Sequence, residues 1–266
     1  MEIIEHPPIF RLPGMAQYDH VTYTWLVMLV LTVLAIAATR NVALVPSGMQ
    51  NFFEIVLEQF NQMIDDVMGP EGRRFLPLIA TLGLFILTSN LVGLVPGFAG
   101  PTTTISTNAA CALVVFVSYH WIGIRKQGAL AYLNHFSGPM PWSWGMAPIK
   151  LLMIPIELIS HMARPLSLTL RLFGNMTGGH ILLAIIFFLM GLDGLIGWAL
   201  SGSVVGAVIG GLGGAIMIVF TIGFLYPLKL LVSVLQAFIF VMLTMMYIAG
   251  AIEESEHHAA QAAGHH

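Results

Sequence analysis

Residues Arg164 to His180, RPLSLTLRLFGNMTGGH, decide the fold, because they place a charge inside an otherwise apolar part of the chain. Arg171 lies at the centre of this stretch, and no other formal charge occurs between Arg164 and Asp193. A guanidinium stays protonated at any accessible pH. Placing it at the centre of a bilayer costs about 2.5–3.5 kcal/mol on insertion scales, and more in simulations of isolated helices. A cost of this size predicts either a compensating partner or a function for Arg171.

The composition places the surrounding chain in a membrane. Of the 266 residues, 57% are hydrophobic and only 9% are charged, whereas soluble domains carry about 25% charged residues. Several uncharged runs reach the roughly 20 residues that a membrane crossing needs. The sequence therefore predicts an all-α polytopic membrane protein of about five to six helices, and it excludes a soluble enzyme. The net charge of −3, with no basic patch, also excludes nucleic acid as a partner.

Six segments have the length and pattern of membrane-associated helices. Residues 22–39, 75–98 and 105–124 are predicted crossings. Residues 50–67 repeat apolar side chains at intervals of three and four, which predicts an amphipathic surface helix. Its opposite face is acidic, so docking on a partner subunit is favoured over binding to anionic lipid. Two later segments, 148–192 and 194–252, are too long for one upright crossing of about 30 Å, so each either breaks into pieces or is strongly tilted.

The distribution of lysine and arginine residues along the chain predicts the orientation. Three lie from Arg40 to Arg74, none in residues 97–104, and three again in residues 125–150. The N-terminal lead, residues 1–21, is then outside, and the loops after the first and third crossings are inside. Residues 253–266 are predicted to be a polar tail, and their histidines are not expected to form a metal site.

Glycines recur at every fourth position in the second long segment, which predicts a ridge that another helix backbone approaches closely. Packing within the chain is favoured over a direct role in ion passage for these residues. They are Gly202, Gly206, Gly210 and Gly214.

The two long segments contain few ionisable residues, and each is a candidate for function because such groups are costly in a bilayer. Glu157, Arg164 and Arg171 are spaced by seven and fall near one stripe of a helix, an alignment that a kink at Pro165 would weaken. His180 is nine residues beyond Arg171 and falls near the opposite face. Glu157 is the only acidic candidate partner on the same helix, about 20 Å from Arg171. This separation favours a partner for Arg171 on another chain.

Two blocks, PLSLTLRLFGNM at 165–176 and LQAFIFVMLTMMY at 235–247, resemble subunit a of F-type ATP synthases, the stator part of the membrane ion channel. The resemblance extends over about residues 75–252. It implies a hairpin of two long, steeply inclined helices against a ring of rotor (c) subunits, connected outside near Asp193 and with the C-terminus inside. It also implies peripheral-stalk (b) subunits and, through the stalks, the catalytic head as partners, in addition to membrane lipid. The implied location is a bacterial inner membrane.

The implied function is to pass protons to and from rotor carboxylates through two offset half-channels, which couples the ion gradient to ATP synthesis. Arg171 would stabilise the ionised form of an arriving carboxylate, which releases its proton, and would repel a cation moving straight through. A pair 4 Å apart gains about 4 kcal/mol at an effective dielectric constant of 20, which is comparable to the cost of burial. Glu157 and His180 are candidate relays, and the resemblance places Asn175 and Gln236 close to the arginine. The weaker candidates are Asn90, Ser160, Asp193 and Tyr247.

Lys229 departs from the family pattern, which commonly has His or Glu seven residues before the LQAF glutamine and pairs it with Glu or His at the position of His180. A charged lysine cannot accept a proton. Lys229 therefore either loses its proton within the membrane or tunes the exit path through its charge, and direct relay through this position is in doubt. The resemblance implies that the rotor ring mainly determines whether the transported ion is H⁺ or Na⁺.

Two other classes of protein compete with this interpretation. A secondary ion transporter working alone typically has two similar halves, and the sequence has no internal repeat. The free-energy cost of placing an unpartnered Arg171 in the membrane argues against a purely structural membrane scaffold. The subunit itself is predicted to carry out no covalent chemistry and to need no cofactor or metal.

Overall fold

The computed structural model describes residues 19–40, 42–95, 98, 100–128, 147–190, 194–200 and 203–263. All regular secondary structure in these ranges is helical, with no strand among them. Residues 1–18 of the predicted external lead, Asp193 and the last three residues of the tail lie outside the described residues.

The helices follow one another in a simple order. The first four are α1 (Asp19–Thr39), α2 (Met49–Met68), α3 (Leu76–Val92) and α4 (Ile105–Gln127). The next four are α5 (Ala147–Met190), α6 (Leu195–Ala199), α7 (Val204–Phe220) and α8 (Tyr226–Ala263). Short 3₁₀ turns, Pro70–Phe75 and Pro101–Thr103, precede α3 and α4, and a π-helical turn, Thr221–Leu225, joins α7 to α8.

Five stretches in the described part of the chain are long and apolar enough to cross a membrane, which confirms the prediction of an all-α polytopic membrane protein. They are Asp19–Thr39, Pro70–Val92, Ile105–Lys126, Leu152–Ala199 and Val204–Ile252.

The two long segments differ in continuity. The first is one helix, α5, which is uninterrupted at Pro155 and Pro165. The second is divided into α6, α7 and α8. The side chain of Ser203 starts α7 by accepting a hydrogen bond from the N–H of Gly206 at 2.9 Å, because a serine in this position satisfies an otherwise unpaired helical N–H. The inclination of these helices to a membrane stays a prediction.

The chain divides into two compact units, and each is described by itself. Unit 1 consists of residues 1–31, 85–104 and 172–238, and unit 2 of residues 32–84, 105–171 and 239–266.

In unit 2, the apolar side of α2 packs on its own chain in the second half of the helix. Ile64 is fully buried against Ile79 of α3 and Val241 and Met245 of α8. Phe52, in the first half of α2, is 58% exposed. The apolar face of α2 is therefore partly covered within the chain, and its docking on another subunit stays a prediction.

The end of α2 is tied to the start of α3 by an ion pair. Arg73 donates to both carboxylate oxygens of Asp65, from Nε at 2.8 Å and from Nη2 at 2.6 Å. These hydrogen bonds hold the pKa of Asp65 below its ordinary value. Gly69, with φ +69°, makes the turn between the two partners.

In unit 1, the glycine ridge of α7 packs against α6. Gly206, Gly210 and Gly214 are buried. A Cβ on Gly210 would lie 2.5 Å from the carbonyl oxygen of Leu195 and 2.7 Å from the backbone nitrogen of Ala199. Only a glycine permits this approach of the two backbones, which confirms the predicted packing role for Gly210.

Candidate functional site

Helix α5 carries Arg171 on an exposed face. Its neighbours Leu168 and Leu172 are buried, at 2% and 0% exposure, whereas the Arg171 side chain is exposed. Among the described residues no side chain or backbone group forms an ion pair or a hydrogen bond with Arg171. The guanidinium thus lies unpaired within an apolar span, Leu152–Ala199.

The helix continues beyond Arg171 with small and polar residues. Asn175, one turn further on, is half-buried, and its side chain has no hydrogen bond within the described part of the chain. Gly174 is exposed, and a Cβ placed on it would meet no atom within 4 Å. The surface of α5 beside Arg171 is therefore exposed and has no bulky side chain at Gly174. The predicted proximity of Asn175 and Gln236 to Arg171 stays a prediction.

A buried hydrogen-bond network in unit 1 involves Asn90. Its Nδ2 donates to the carbonyl oxygen of Ser233 at 3.2 Å, and its Oδ1 accepts from the hydroxyl of Thr102 at 2.9 Å. Asn90 and Thr102 are both 0% exposed. The network connects α3, the 3₁₀ turn before α4, and α8, so Asn90 fixes the packing of these three elements.

The pair formed by His180 and Lys229 also lies in unit 1. Gly179 allows Lys229 of α8 to approach α5, because a Cβ on Gly179 would lie 2.8 Å from Cε and 3.4 Å from Nζ of the lysine. A Cβ on Gly93, at the end of α3, would lie 3.5 Å from Nε2 of His180. Both members of the pair were predicted site residues, and each lies against a glycine of a neighbouring helix end or helix face.

Several polar atoms of unit 1 are buried and have no protein partner among the described residues. They include Nε2 of His180, Nζ of Lys229, Nε2 of Gln236 and Oγ of Ser89. An unpaired buried polar group is costly, and water commonly satisfies it. Ionisable groups inside a span typically face a water-filled path or one another. This set of side chains is therefore suited to line an aqueous path for ions.

A second polar cluster lies in unit 2, around Glu157. Its Oε1 is 3.3 Å from Nε2 of His161, and Nδ1 of His161 is 3.3 Å from the hydroxyl of Tyr119. The guanidinium of Arg164 lies over the ring of Tyr247, 5.3 Å from its centroid. Glu157 and Tyr247 were both predicted site residues, and each belongs to this cluster.

Tyr119, His120 and His161 belong to the second cluster, with the rings of the two histidines 5.4 Å apart, and none of the three was a predicted site residue. The four-residue spacing of Glu157 and His161 could have predicted their contact, because residues four positions apart are neighbours on a helix. The aromatic and imidazole groups of α4 gave no such signal. Ser160, a weaker candidate, is exposed. No group of three or more residues that could hold a metal occurs in the described part of the chain.

The family model described as ATP synthase A chain matches residues 21–249. ATP synthase subunit a 2 of Syntrophotalea carbinolica is 46% identical over 238 residues, which are 90% of this chain and 87% of the relative. ATP synthase subunit a 1 of Pelobacter propionicus is 46% identical over 242 residues, and ATP synthase subunit a of Geobacter sulfurreducens is 43% identical over 242 residues. Each of these two alignments covers 89% of this chain and 89% of the relative.

Proposed function

Because the chain belongs to the ATP synthase A chain family, we propose that it forms two offset half-channels through which protons reach and leave the carboxylates of a rotor ring. This transfer couples the ion gradient to ATP synthesis, and the subunit carries out no covalent chemistry. Its direct partners are the rotor (c) and peripheral-stalk (b) subunits, and the stalks connect it to the catalytic head. The protein lies in a bacterial inner membrane, with its N-terminus outside and its C-terminus in the cytoplasm.

The observation that carries this proposal is the exposed guanidinium of Arg171 in an apolar span, where no described residue of the chain pairs with it. Because an unpaired charge in hydrocarbon is costly, an approaching carboxylate from another chain is stabilised in its ionised form. That carboxylate releases its proton as it reaches Arg171. The guanidinium keeps its own proton and repels a cation that would bypass the ring. The open surface at Gly174 leaves room for a rotor helix to pass.

The polar clusters of the two units support one half-channel each. In unit 1, His180 and Lys229 serve the outer path, with Gln236 and Asn175 orienting water or Arg171. In unit 2, Glu157 serves the inner path. Each elementary charge that crosses 100 mV yields about 2.3 kcal/mol to drive rotation.

Lys229 keeps two possible roles within this proposal. It either gives up its proton in the membrane and takes part in relay, or stays charged and tunes the outer path electrostatically. Both roles follow from its burial next to Gly179 and from the absence of a hydrogen-bond partner for Nζ among the described residues.

The deciding experiment is Arg171→Ala in membrane vesicles that contain the whole complex, with ATP-driven proton pumping as the readout. We expect pumping to be abolished while the complex still assembles. Arg40→Ala, which removes an exposed arginine at the end of α1, is the matched control and should leave pumping unchanged. Normal pumping by Arg171→Ala would refute the proposal, as would proton transport by the purified chain in the absence of rotor subunits.

A further inference from the structure

The first half of α5 contains a buried histidine within a candidate membrane span. His161 is 5% exposed and lies within the candidate span Leu152–Ala199. Its Nε2 is 3.3 Å from Oε1 of Glu157, one turn earlier on α5. Its Nδ1 is 3.3 Å from the hydroxyl of Tyr119 on α4. One imidazole ring thus bridges a carboxylate and a phenol that come from two helices.

The surroundings of His161 fix its ring and supply both signs of charge. The Tyr119 ring is stacked on the imidazole, with centroids 6.1 Å apart and planes inclined by 22°. The guanidinium of Arg164 lies 5.9 Å from the centroid of the Tyr119 ring. Among the described residues, the titratable and charged groups of this cluster include Glu157 and Arg164 on α5, Tyr119 and His120 on α4, and Tyr247 on α8.

We propose that His161 transfers protons to and from Glu157 in the inner ion path, an inference that rests on the function proposed above. In the tautomer with hydrogen on Nδ1, the ring donates to the hydroxyl oxygen of Tyr119, and Nε2, 3.3 Å from Oε1 of Glu157, is free to accept a proton. Tyr119 is then a positioning residue, because its hydroxyl contacts Nδ1 and its ring stacks on the imidazole.

The transfer is a simple exchange between two groups. The O–H bond of the protonated Glu157 carboxyl breaks and an N–H bond forms at Nε2, which produces a carboxylate and an imidazolium. When this N–H proton passes to water, the neutral ring is restored. The reverse sequence carries a proton from water to Glu157, so the same pair serves both directions of rotation.

A packing role alone accounts poorly for an imidazole in this position. An apolar side chain would fill the space without the desolvation that a buried polar ring requires. Ionisable groups inside membrane spans commonly belong to proton relays, and the two ring nitrogens of His161 lie 3.3 Å from an acid and 3.3 Å from a phenol hydroxyl.

The test is His161→Gln in the whole complex, with passive proton conduction of the membrane sector measured from about pH 6 to pH 8.5, where histidine titrates. Glutamine retains hydrogen bonding but cannot carry the proton. We expect proton conduction to fall about tenfold or more, because a general acid–base group typically contributes at least this much to the rate of proton transfer. We also expect the pH dependence of conduction to change shape. Met162→Leu, at the exposed neighbouring position, should retain both the rate and the pH profile. A profile parallel to that of the unmodified protein would overturn the proposal, even if the rate were lower, because a packing defect acts equally at all pH values.

Tyr119→Phe provides a second variant that keeps the aromatic packing and removes only the hydroxyl. We expect a smaller loss of conduction and a changed pH profile. If His161→Gln fails to assemble, this profile decides, and an unchanged one would overturn the proposal. Arg171→Ala is measured in parallel. If this variant retains pumping, the proposed function itself fails. If Arg171→Ala abolishes pumping but His161→Gln keeps the pH profile of the unmodified protein, only the role of His161 is removed.

Discussion

The position of Lys229 beside α5 can be perturbed by one methyl group, through Gly179→Ala. The new Cβ would lie 2.8 Å from Cε, 3.4 Å from Nζ and 3.8 Å from Cδ of Lys229. Carbon atoms at optimal separation are about 3.5–4.0 Å apart, so Cε has to retreat by about 0.7 Å or more. The lysine side chain is flexible and can make this movement. Alanine also favours the helix by up to about 1 kcal/mol relative to glycine, so the fold and the assembly should survive.

Proton transfer is far more sensitive to this movement than folding is. A misplacement of about 1 Å near a reacting group costs up to about 100-fold in rate, so we expect proton conduction of the membrane sector to fall about tenfold. The assay is passive proton conduction in vesicles stripped of the catalytic head, normalised to the amount of assembled complex. Gly178→Ala is the matched control, because a Cβ on Gly178 meets no atom within 4 Å. Equal conduction in the two variants would show that the position of Lys229 does not matter to the outer path.

Two further substitutions test the surface beside Arg171 and the packing of α7. Gly174→Leu should lower ATP-driven pumping about tenfold by obstructing the rotor, although no atom of this chain lies within 4 Å of the new Cβ. The control is Ala35→Leu at an exposed position of α1. Equal pumping by the two variants would argue against a rotor at this surface. Gly210→Ala should be less stable than Gly211→Ala by about 1–3 kcal/mol, the cost of overpacking, because its Cβ would lie 2.5 Å from a backbone oxygen whereas that of Gly211 meets nothing within 4 Å. Thermal denaturation of the detergent-solubilised complex measures this difference, and identical midpoints would contradict the packing.

Much of the fold could be predicted because membrane insertion is governed by quantities that are local in sequence. A run of apolar residues and the length of a helix are enough to identify a crossing, and they identified an all-α polytopic chain. The boundaries were less predictable. The run 75–98 suggested a crossing that ends near residue 98, but α3 ends at Val92, because Gly93 and Pro96 follow and both disfavour helix. The division of the second long segment depends on close packing of α6 on α7, which no local pattern expresses.

The candidate site was predictable to the extent that its members are costly in a membrane. Arg171, Glu157, His180 and Lys229 stand out as ionisable residues in apolar sequence. Their partners do not stand out in the same way. Asn90 and Ser233 are 143 positions apart, and Tyr119 and His161 are 42 positions apart, so each of these pairs forms only when different helices pack together.

The sequence by itself determined that this chain enters a membrane as helices and takes an arginine into the apolar part, because hydrophobic transfer and the cost of a buried charge depend on residue type and spacing alone. Only the tertiary structure decided that Arg171 is exposed and unpaired among the described residues, that Gly179 admits Lys229, and that His161 lies between Glu157 and Tyr119. These facts depend on which helix faces are brought into contact, and contacts between distant segments arise from packing that no single stretch of sequence contains.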